Sequence, residues 1–284
     1  MHVLRRLSAN PEGLTLTEIS SDLGIAQATC SSILTELVSA RVVERSPDKR
    51  YSFGSAALSL LDAVADQATP VDVAARVLPS LSSRTNMPTV LTRVAPEGIE
   101  LLEVWWPDGR SRSVGRIMLP FAAPYGLSAV AWMSRSRVAS WLEAGQADDA
   151  ATADLRRLLR TVRRDRVFGW TARDARLTGA FATPERLDDW LTVLARRSSE
   201  PELPAALLRH ARVAGIPGPD FKSSRRIDVE AIVAPVFGCR GVPHHQVELF
   251  CGMSDATRAR RMHLADLVRD AAREVTLRSG GTPA

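Results

Sequence analysis

The stretch from Leu14 to Phe53, LTLTEISSDLGIAQATCSSILTELVSARVVERSPDKRYSF, decides the fold of the amino-terminal part of this chain. Apolar residues recur at helical spacing in its first two thirds, and a proline turn divides its last third. The pattern predicts a helix, a tight turn, a second helix and a two-stranded hairpin, over residues 14–23, 24–25, 26–40, 42–45 and 50–53. This order is typical of a winged helix-turn-helix.

Local signals support the first helix and its exit. Thr15 and Glu18 have the spacing of a capping box, in which each residue satisfies an unpaired N–H group at the helix start. Ile19 and Leu23 lie one turn apart on a single face. Gly24 suits the left-handed conformation in which a chain leaves a helix. We therefore expect a first helix that packs one apolar face against a second.

The second helix has one apolar face, predicted to consist of Ile33, Leu34 and Leu37 with Val38 at its edge. The opposite face carries short, polar side chains and is nearly uncharged. A face that serves only solubility would more usually carry Lys and Glu, whereas short donors and acceptors suit base edges and phosphates in a major groove. The hairpin adds basic residues beside its turn. The predicted DNA contacts are Thr17, Gln27, Ala28, Thr29, Ser31, Ser32, Thr35, Arg45, Lys49 and Arg50.

Composition sets the class of protein. The chain has 284 residues, of which 45% are hydrophobic, and this length favours two domains with substantial cores. Three cysteines are too few for a disulfide framework, which favours a reducing cytoplasm. The sequence shows neither a signal peptide nor an apolar run long enough to span a membrane. We expect a cytoplasmic protein with no membrane partner.

The net charge of +5 does not by itself indicate nucleic-acid binding, because of where the charges lie. Residues 1–60 hold six basic and six acidic side chains, and the basic excess lies mostly between residues 151 and 226. Electrostatic affinity for DNA depends on the placement of charge rather than on its sum. A neutral DNA-binding domain predicts modest affinity per monomer, and hence a homodimer or tetramer.

The rest of the sequence predicts a linker followed by a second domain. Residues 1–54 form the predicted DNA-binding domain, 55–69 a linker helix and 70–284 the second domain. Pro79 predicts a kink or an early end in a helix over 71–84. The other predicted helices cover residues 126–133, 135–144, 154–168, a segment starting at 183–185, 203–212 and 255–277, and the predicted strands cover 89–94, 99–106, 114–117, 229–237 and 246–251.

Three segments resemble the IclR family of bacterial transcription regulators. The first runs from Leu16 to Leu37, with a wing that ends in Tyr51-Ser52-Phe53-Gly54. The second is Val114-Gly115-Arg116 through Leu119-Pro120-Phe121-Ala122-Ala123, with Gly126 and Ala129. The third is Ala231-Ile232-Val233-Ala234-Pro235-Val236-Phe237, with Cys251-Gly252-Met253 at the end of the next strand. Together they span about residues 3–277.

The resemblance implies an α+β fold: a winged helix-turn-helix, a linker helix and a GAF-like sensor domain with an antiparallel sheet. It implies double-stranded operator DNA as partner and a small-molecule effector. The implied effector-binding residues are Met118, Leu119, Phe121, Ala122, Ala123, Gly126, Ala231, Val233, Leu249 and Cys251.

Two departures from the family pattern matter. The family usually has an arginine where Ser32 aligns, and it has polar residues where this chain has Ala123, Ala231, Leu249 and Cys251. A carboxylate ligand needs donors or charge to replace its lost water. The apolar lining therefore favours an apolar or aromatic effector, while a closed pocket with no ligand stays open as the alternative.

Other constellations carry less weight. Cys239, His244, His245 and Cys251 have zinc-ligating chemistry without finger spacing, and an exposed hairpin tip is the simpler interpretation. The arginines of 156–166 suit the solvated face of a helix better than a binding patch. No catalytic, phosphate-binding or dinucleotide motif is present, so we expect neither an enzyme nor a cofactor.

Three functions remain open. The chain is a ligand-responsive DNA-binding regulator, a regulator whose sensor domain has lost its ligand, or a protein-interaction module that no longer reads DNA.

Overall fold

The structure of the chain is a computed structural model. It describes residues 2–8, 10, 12–57, 69–95, 97–115, 117–146, 149–172, 184–198, 200, 202, 215–217 and 219–283. The chain divides into two compact units, Met1–Gln67 and Ala68–Ala284. The predicted linker helix over 55–69 lies largely outside the described residues, and the predicted helix over 203–212 lies wholly outside them.

The first unit contains three complete helices, the helical residues 55–57 and a small antiparallel sheet among its described residues. In chain order these elements are α1 (His2–Ser8), β1 (Leu14–Thr15), α2 (Leu16–Leu23), α3 (Gln27–Ser39), β2 (Val43–Arg45) and β3 (Arg50–Phe53). The strand order is β1-β3-β2. This arrangement confirms the predicted winged helix-turn-helix and adds a short strand, β1, that the sequence pattern did not indicate.

The core of the first unit corrects one detail of α3. Cys30 and Leu34 are fully buried with Ile19 of α2, whereas Ile33 keeps 39% of its surface exposed. Cys30 lies four residues before Leu34 and shares its face, while Ile33 is rotated by roughly 100° from it. The buried face of α3 therefore includes Cys30 in place of Ile33, while Leu34 and Leu37 belong to it as predicted.

The second unit is a large antiparallel sheet with helices on both faces. Its described helices are α4 (Pro70–Thr85), α5 (Leu127–Val130), α6 (Arg135–Ala144), α7 (Asp149–Asp165), α8 (Pro184–Arg197), a 3₁₀ helix (Pro219–Lys222) and α9 (Arg258–Arg278). Its described strands are β4 (Thr89–Ala95), β5 (Gly98–Trp105), β6 (Ser111–Ser113), β7 (Met118–Leu119), β8 (Phe168–Ala172), β9 (Gly215–Pro217), β10 (Ile227–Phe237) and β11 (Pro243–Ala256). Within the described ranges, no helix is both long enough and apolar enough to cross a membrane.

The strands of this sheet follow the order β6-β5-β4-β11-β10-β8-β9, and β7 pairs with β5. Every described pairing is antiparallel, which confirms the predicted α+β class. The central strand β10 is buried almost throughout, because helices cover both of its faces. The long β10–β11 hairpin forms the middle of the unit.

The two faces of the sheet carry different helices. On one face, Ile232 packs with Leu78 of α4 and Val268 of α9. On the other, Val233 packs with Leu127 of α5 and with the apolar sides of α6 and α7. Farther along that second face, a separate cluster joins strands β4 and β5 to α8. We call this second face the sensor face, after the effector-binding residues predicted for this domain.

Two helix predictions differ from the structure. Pro79 neither ends nor shortens α4, which begins at a capping box formed by Thr69 and Asp72 and continues to Thr85. The helix predicted over 154–168 is α7, which ends at Asp165 because Arg166 adopts a left-handed φ of 55°. Phe168 then begins a strand that sequence periodicity did not indicate.

The strand predicted over 114–117 is also wrong. Gly115 adopts a φ of 75°, which is incompatible with extended backbone and interrupts the run. The chain forms two short strands instead, β6 before this residue and β7 after it, and both pair with β5.

Candidate DNA-binding surface and sensor face

The first helix of the helix-turn-helix, α2, is held by local hydrogen bonds. Thr15 Oγ1 accepts the Glu18 N–H at 3.3 Å, and Glu18 Oε2 accepts the Thr15 N–H at 2.7 Å, which confirms the capping box. The bonds that the Thr15 N–H and the Thr15 hydroxyl donate to the Glu18 carboxylate hold the pKa of that carboxyl below its usual value. Gly24 ends α2 with a φ of 63°, as predicted. The turn thus fixes the direction in which α3 leaves α2.

The outer face of α3 carries the predicted base-reading residues. Gln27, Ala28, Thr29, Ser32 and Thr35 are exposed, and Ser31 is half-buried. The helix has no basic residue, and Glu36 is its one charged side chain. Binding through this face therefore depends on hydrogen bonds and shape rather than on attraction to phosphates.

The hydroxyl groups on this face are oriented by the helix itself. Ser32 Oγ donates to the Ala28 carbonyl at 3.1 Å, and Thr35 Oγ1 donates to the Ser31 carbonyl at 2.9 Å. Each hydroxyl hydrogen is thereby used within the helix, and the oxygens remain available as acceptors. The Gln27 amide differs, because its Nε2 donates to Thr17 Oγ1 over 3.5 Å, a weak bond that a better partner replaces easily.

The three basic residues predicted for the wing are not equivalent. The Arg45 guanidinium lies 5.7 Å from the centre of the Tyr51 ring, a cation–π contact. Arg50 Nη1 donates to the Gly13 carbonyl at 2.8 Å and lies 3.8 Å from Glu18 Oε2. Lys49 stands at the tip of the turn, and its exposed side chain makes no hydrogen bond or ion pair with another described residue. Lys49 is therefore the wing residue best placed to reach a phosphate.

The amino-terminal sequence decides the identity of this domain. Residues 1–47 match the family model described as the IclR helix-turn-helix domain. The first unit is an IclR helix-turn-helix domain. The match confirms the resemblance drawn from the sequence for this domain, and a helix-turn-helix of this family indicates a DNA-binding transcription regulator. No curated protein matches the chain.

Solved structures of IclR regulators align along the whole chain. HmgR of Pseudomonas aeruginosa is 19% identical, with 100% of this chain and 97% of that chain covered and a TM-score of 0.47. An IclR regulator of Alicyclobacillus acidocaldarius is 18% identical, with 98% and 96% covered and a TM-score of 0.43. For the IclR protein of Thermotoga maritima the values are 14%, 98%, 96% and 0.41. At such TM-scores the identification rests on the IclR helix-turn-helix domain itself.

Most of the predicted effector-binding residues lie together on the sensor face. Phe121, Ala123 and Val233 belong to one cluster, and Phe121 also meets Leu119 in a second. Ala231 lies on the same side of β10 as Val233, because strand residues two apart share a face. Ala122 is buried, and Met118 is half-buried on β7.

Gly126 fits this arrangement for a steric reason. It adopts a φ of 78°, and a Cβ there would lie 3.1 Å from the Phe121 ring and 3.2 Å from Ile99 Cδ1. A side chain at this position would be strained in its backbone and crowded against the ring. Glycine therefore lets the start of α5 approach the loop that carries Phe121.

Two predicted effector-binding residues lie elsewhere. Leu249 and Cys251 point to the opposite side of β11 and pack in the core beneath α4 and α9. Cys251 Sγ donates to the Val229 carbonyl at 3.5 Å, and burial raises the pKa of its thiol. The structure therefore does not bring these two residues together with Ala231 and Val233.

Sequence reasoning missed a chain of polar side chains on the sensor face. Gln246 Nε2 donates to Glu248 Oε1 at 2.7 Å, and Thr92 Oγ1 donates to the same oxygen at 3.2 Å. Ser128 Oγ donates to Gln246 Oε1. Burial raises the pKa of the Glu248 carboxyl, although its two hydrogen bonds oppose this shift. The polar alternation Gln246-Val247-Glu248-Leu249 was the available signal, since residues at period two share a face.

Aromatic side chains surround this polar chain. The Tyr125 ring lies 5.9 Å from the Trp170 ring, and Trp170 lies 6.3 Å from Phe168. Burial, followed by the nearby Glu248 carboxylate, raises the pKa of the Tyr125 hydroxyl. The sensor face thus combines a partly buried acid with large, partly exposed rings, a combination found in ligand sites.

The remaining constellations add no site. Among the described residues, no group of three or more His, Cys, Asp or Glu side chains is placed to hold a metal ion. Cys239 is exposed, whereas Cys251 is buried. The arginines of α7 alternate with a buried stripe of Leu155, Leu158 and Val162, as an amphipathic surface helix requires.

Proposed function

We propose that the protein binds a specific operator in the cytoplasm as a homodimer or tetramer, and that its sensor face binds a small, largely apolar effector. The observation that carries the DNA-binding part is the outer face of α3, which is polar, exposed and held by the α2 capping box and Gly24. The absence of basic residues from α3 favours an oligomer, because two recognition helices compensate for weak binding by each one.

The proposed control is a shift between arrangements of two recognition helices. An effector that binds one arrangement more tightly increases the population of that arrangement, and DNA affinity changes with it. The size of this response is limited by the difference between the effector's affinities for the two arrangements. Effector binding and DNA binding must therefore change each other by the same factor.

The decisive experiment is selection of duplex DNA from a random library with the purified full-length protein, followed by footprinting of the enriched site. Enrichment of one sequence with an inverted or direct repeat supports a specific oligomeric regulator. Protection that fails to exceed the protection of unselected DNA at any salt concentration contradicts it.

A second function has one observation in its favour. Helix α3, the proposed recognition helix, carries Glu36 and no cation, and an outer face of this kind also suits docking of another protein. A protein-interaction module would enrich no DNA sequence in the selection. A regulator whose sensor domain has lost its ligand would bind its operator, yet no compound would raise its melting temperature by mass action.

Replacing Gln27 by alanine is expected to relax sequence preference rather than to abolish binding. Among the residues that the structure describes, the amide is held by the 3.5 Å bond to Thr17 alone, so it can exchange that bond for a pair with an adenine edge. Loss of such a pair costs about 1–3 kcal/mol on the preferred site and little on others. Competition binding with single-base variants of the selected site measures this. Ser21→Ala, on the exposed part of α2, is the matched control and should leave the preference unchanged.

Replacing Lys49 by glutamine is expected to weaken binding to all sequences alike. The side chain is at the exposed tip of the wing, where a phosphate contact releases a counterion. The slope of log affinity against log salt should fall by about one. Arg50→Gln serves as the comparison, since it also removes the bond to the Gly13 carbonyl and should lower stability. A loss at Lys49 confined to one sequence would contradict a phosphate contact.

A further inference from the structure

Glu248 occupies the middle of the sensor face. Its partners in register are Val90 on β4 and Val233 on β10. Val90 belongs to the cluster beneath α8, and Val233 belongs to the cluster beneath α5 to α7. The carboxyl group therefore lies between two apolar clusters on one face of the sheet.

The hydrogen bonds around Glu248 all run toward one of its oxygens. Ser128 donates to Gln246, Gln246 donates to Glu248, and Thr92 also donates to Glu248. Both bonds to Glu248 reach Oε1, and among the described residues Oε2 accepts none. Glu248 also keeps some accessible surface. The chain of donors thus ends in an acceptor that remains available to a ligand.

The described cations near this face are bound to other groups. Arg112, which pairs in register with Val104 on the same face, donates to Asp188 at 2.6 Å and to Thr192 at 3.2 Å. Arg93 pairs with Glu100, and its side chain lies on the other side of β4 from Thr92. Neither arginine is placed by these contacts to neutralise Glu248 or to bind an anionic ligand.

The surroundings of Glu248 suit a ring that carries positive charge. Tyr125, Trp170 and Phe250 are partly exposed aromatic side chains on this face. The faces of such rings attract cations, and their apolar surface packs against an aromatic ligand. A carboxylate ligand would meet the acceptor oxygen of Glu248, and the two arginines near this face are bound to other groups, so neither charge would offset the loss of its water.

We propose that the sensor face takes an aromatic ammonium ligand, whose N–H groups bind Glu248 Oε2 and whose ring packs among Tyr125, Trp170 and Phe250. This inference rests on the effector-binding role proposed above and names the ligand class for it. It narrows the expectation of an apolar effector, because one end of the ligand is charged. Burial raises the pKa of Glu248, and a bound cation would favour the ionised carboxylate again.

The test compares three probes of similar size on the full-length protein by titration calorimetry: phenethylammonium, phenethyl alcohol and hydrocinnamate. We expect phenethylammonium to bind most tightly and hydrocinnamate not to bind. Glu248→Gln should weaken phenethylammonium by at least about tenfold, since it removes one partner of a buried charge pair. It should leave phenethyl alcohol nearly unchanged. Glu100→Gln, which removes a carboxylate from β5, two strands away from β11, is the matched control and should change neither.

Each other outcome overturns the inference in a distinguishable way. Equal or tighter binding of hydrocinnamate, or unchanged binding of phenethylammonium by Glu248→Gln, excludes the ammonium class but retains a sensor site. Binding of none of the probes also overturns the inference, and the sensor role is then judged by a broad compound screen on DNA binding. If Glu248→Gln fails to fold, the ranking of the three probes on the unmodified protein decides alone.

Discussion

Replacing Arg261 by methionine is expected to destabilise the second unit by about 2–5 kcal/mol, the largest stability effect we anticipate. Arg261 is fully buried on α9, and its guanidinium donates to the carbonyl oxygens of Phe221, Ser223, Arg225 and Ala256. Methionine fills similar space but donates nothing. The carbonyl groups of Phe221 and Ala256, which are buried, would each lose a charged donor.

Chemical denaturation followed by tryptophan fluorescence measures this loss as a lower midpoint. Arg258→Met is the matched control, because Arg258 lies one turn earlier on α9, is exposed, and donates a single bond to the Lys222 carbonyl at 2.9 Å. We expect the control to cost well under half as much. Equal losses would mean that the hydrogen bonds of the buried Arg261 guanidinium stabilise the fold no more than the exposed contact of Arg258. Arg261→Lys should also be destabilising, since one ammonium cannot reproduce a planar fork of donors.

Replacing Ser32 by glutamate is expected to weaken binding to the selected operator by roughly a hundredfold, or about 2–3 kcal/mol. Ser32 is exposed and lies roughly 200° around α3 from the buried Leu34, which places it at the centre of the outer face. A carboxylate there would face the phosphates on both sides of a major groove. Glutamate is a better helix former than serine, so the helix itself should persist.

The control for Ser32→Glu carries the same change of charge elsewhere. Ser80 is exposed on α4 of the second unit, and Ser80→Glu lowers the net charge equally. Titration of labelled operator DNA with each variant should show a loss for Ser32→Glu alone. Equal losses would indicate that net charge rather than the α3 face governs binding. No loss for Ser32→Glu would contradict docking through this face and would favour the protein-interaction module.

The DNA-binding domain was largely predictable because its signals are local. Thr15 and Glu18 are three residues apart, and the turn at Gly24 needs only one residue with left-handed backbone. The exception inside this domain is Ile33, which is exposed while Cys30 is buried. Apolar character alone does not predict the exact centre of the buried face of α3, because packing against α2 and the sheet decides it.

The sensor face was predictable only in part because its members are far apart in the chain. Thr92 and Glu248 are separated by 156 residues and meet only through the register of β4 against β11. Leu249 was expected beside Ala231, yet a side chain one position from Glu248 points to the opposite face. The periodicity of a strand does not predict which helix will cover which of its faces.

The sequence by itself determined the helix-turn-helix, the wing and the antiparallel hairpin near the carboxyl end, because capping, turn formation and strand alternation act over a few residues. The tertiary structure alone decided that Glu248 stands among aromatic rings, that Leu249 and Cys251 lie in the core, and that Arg261 holds the segment around Phe221. Those outcomes depend on strand register and on the helices that cover each face, and both are set by packing between distant parts of the chain.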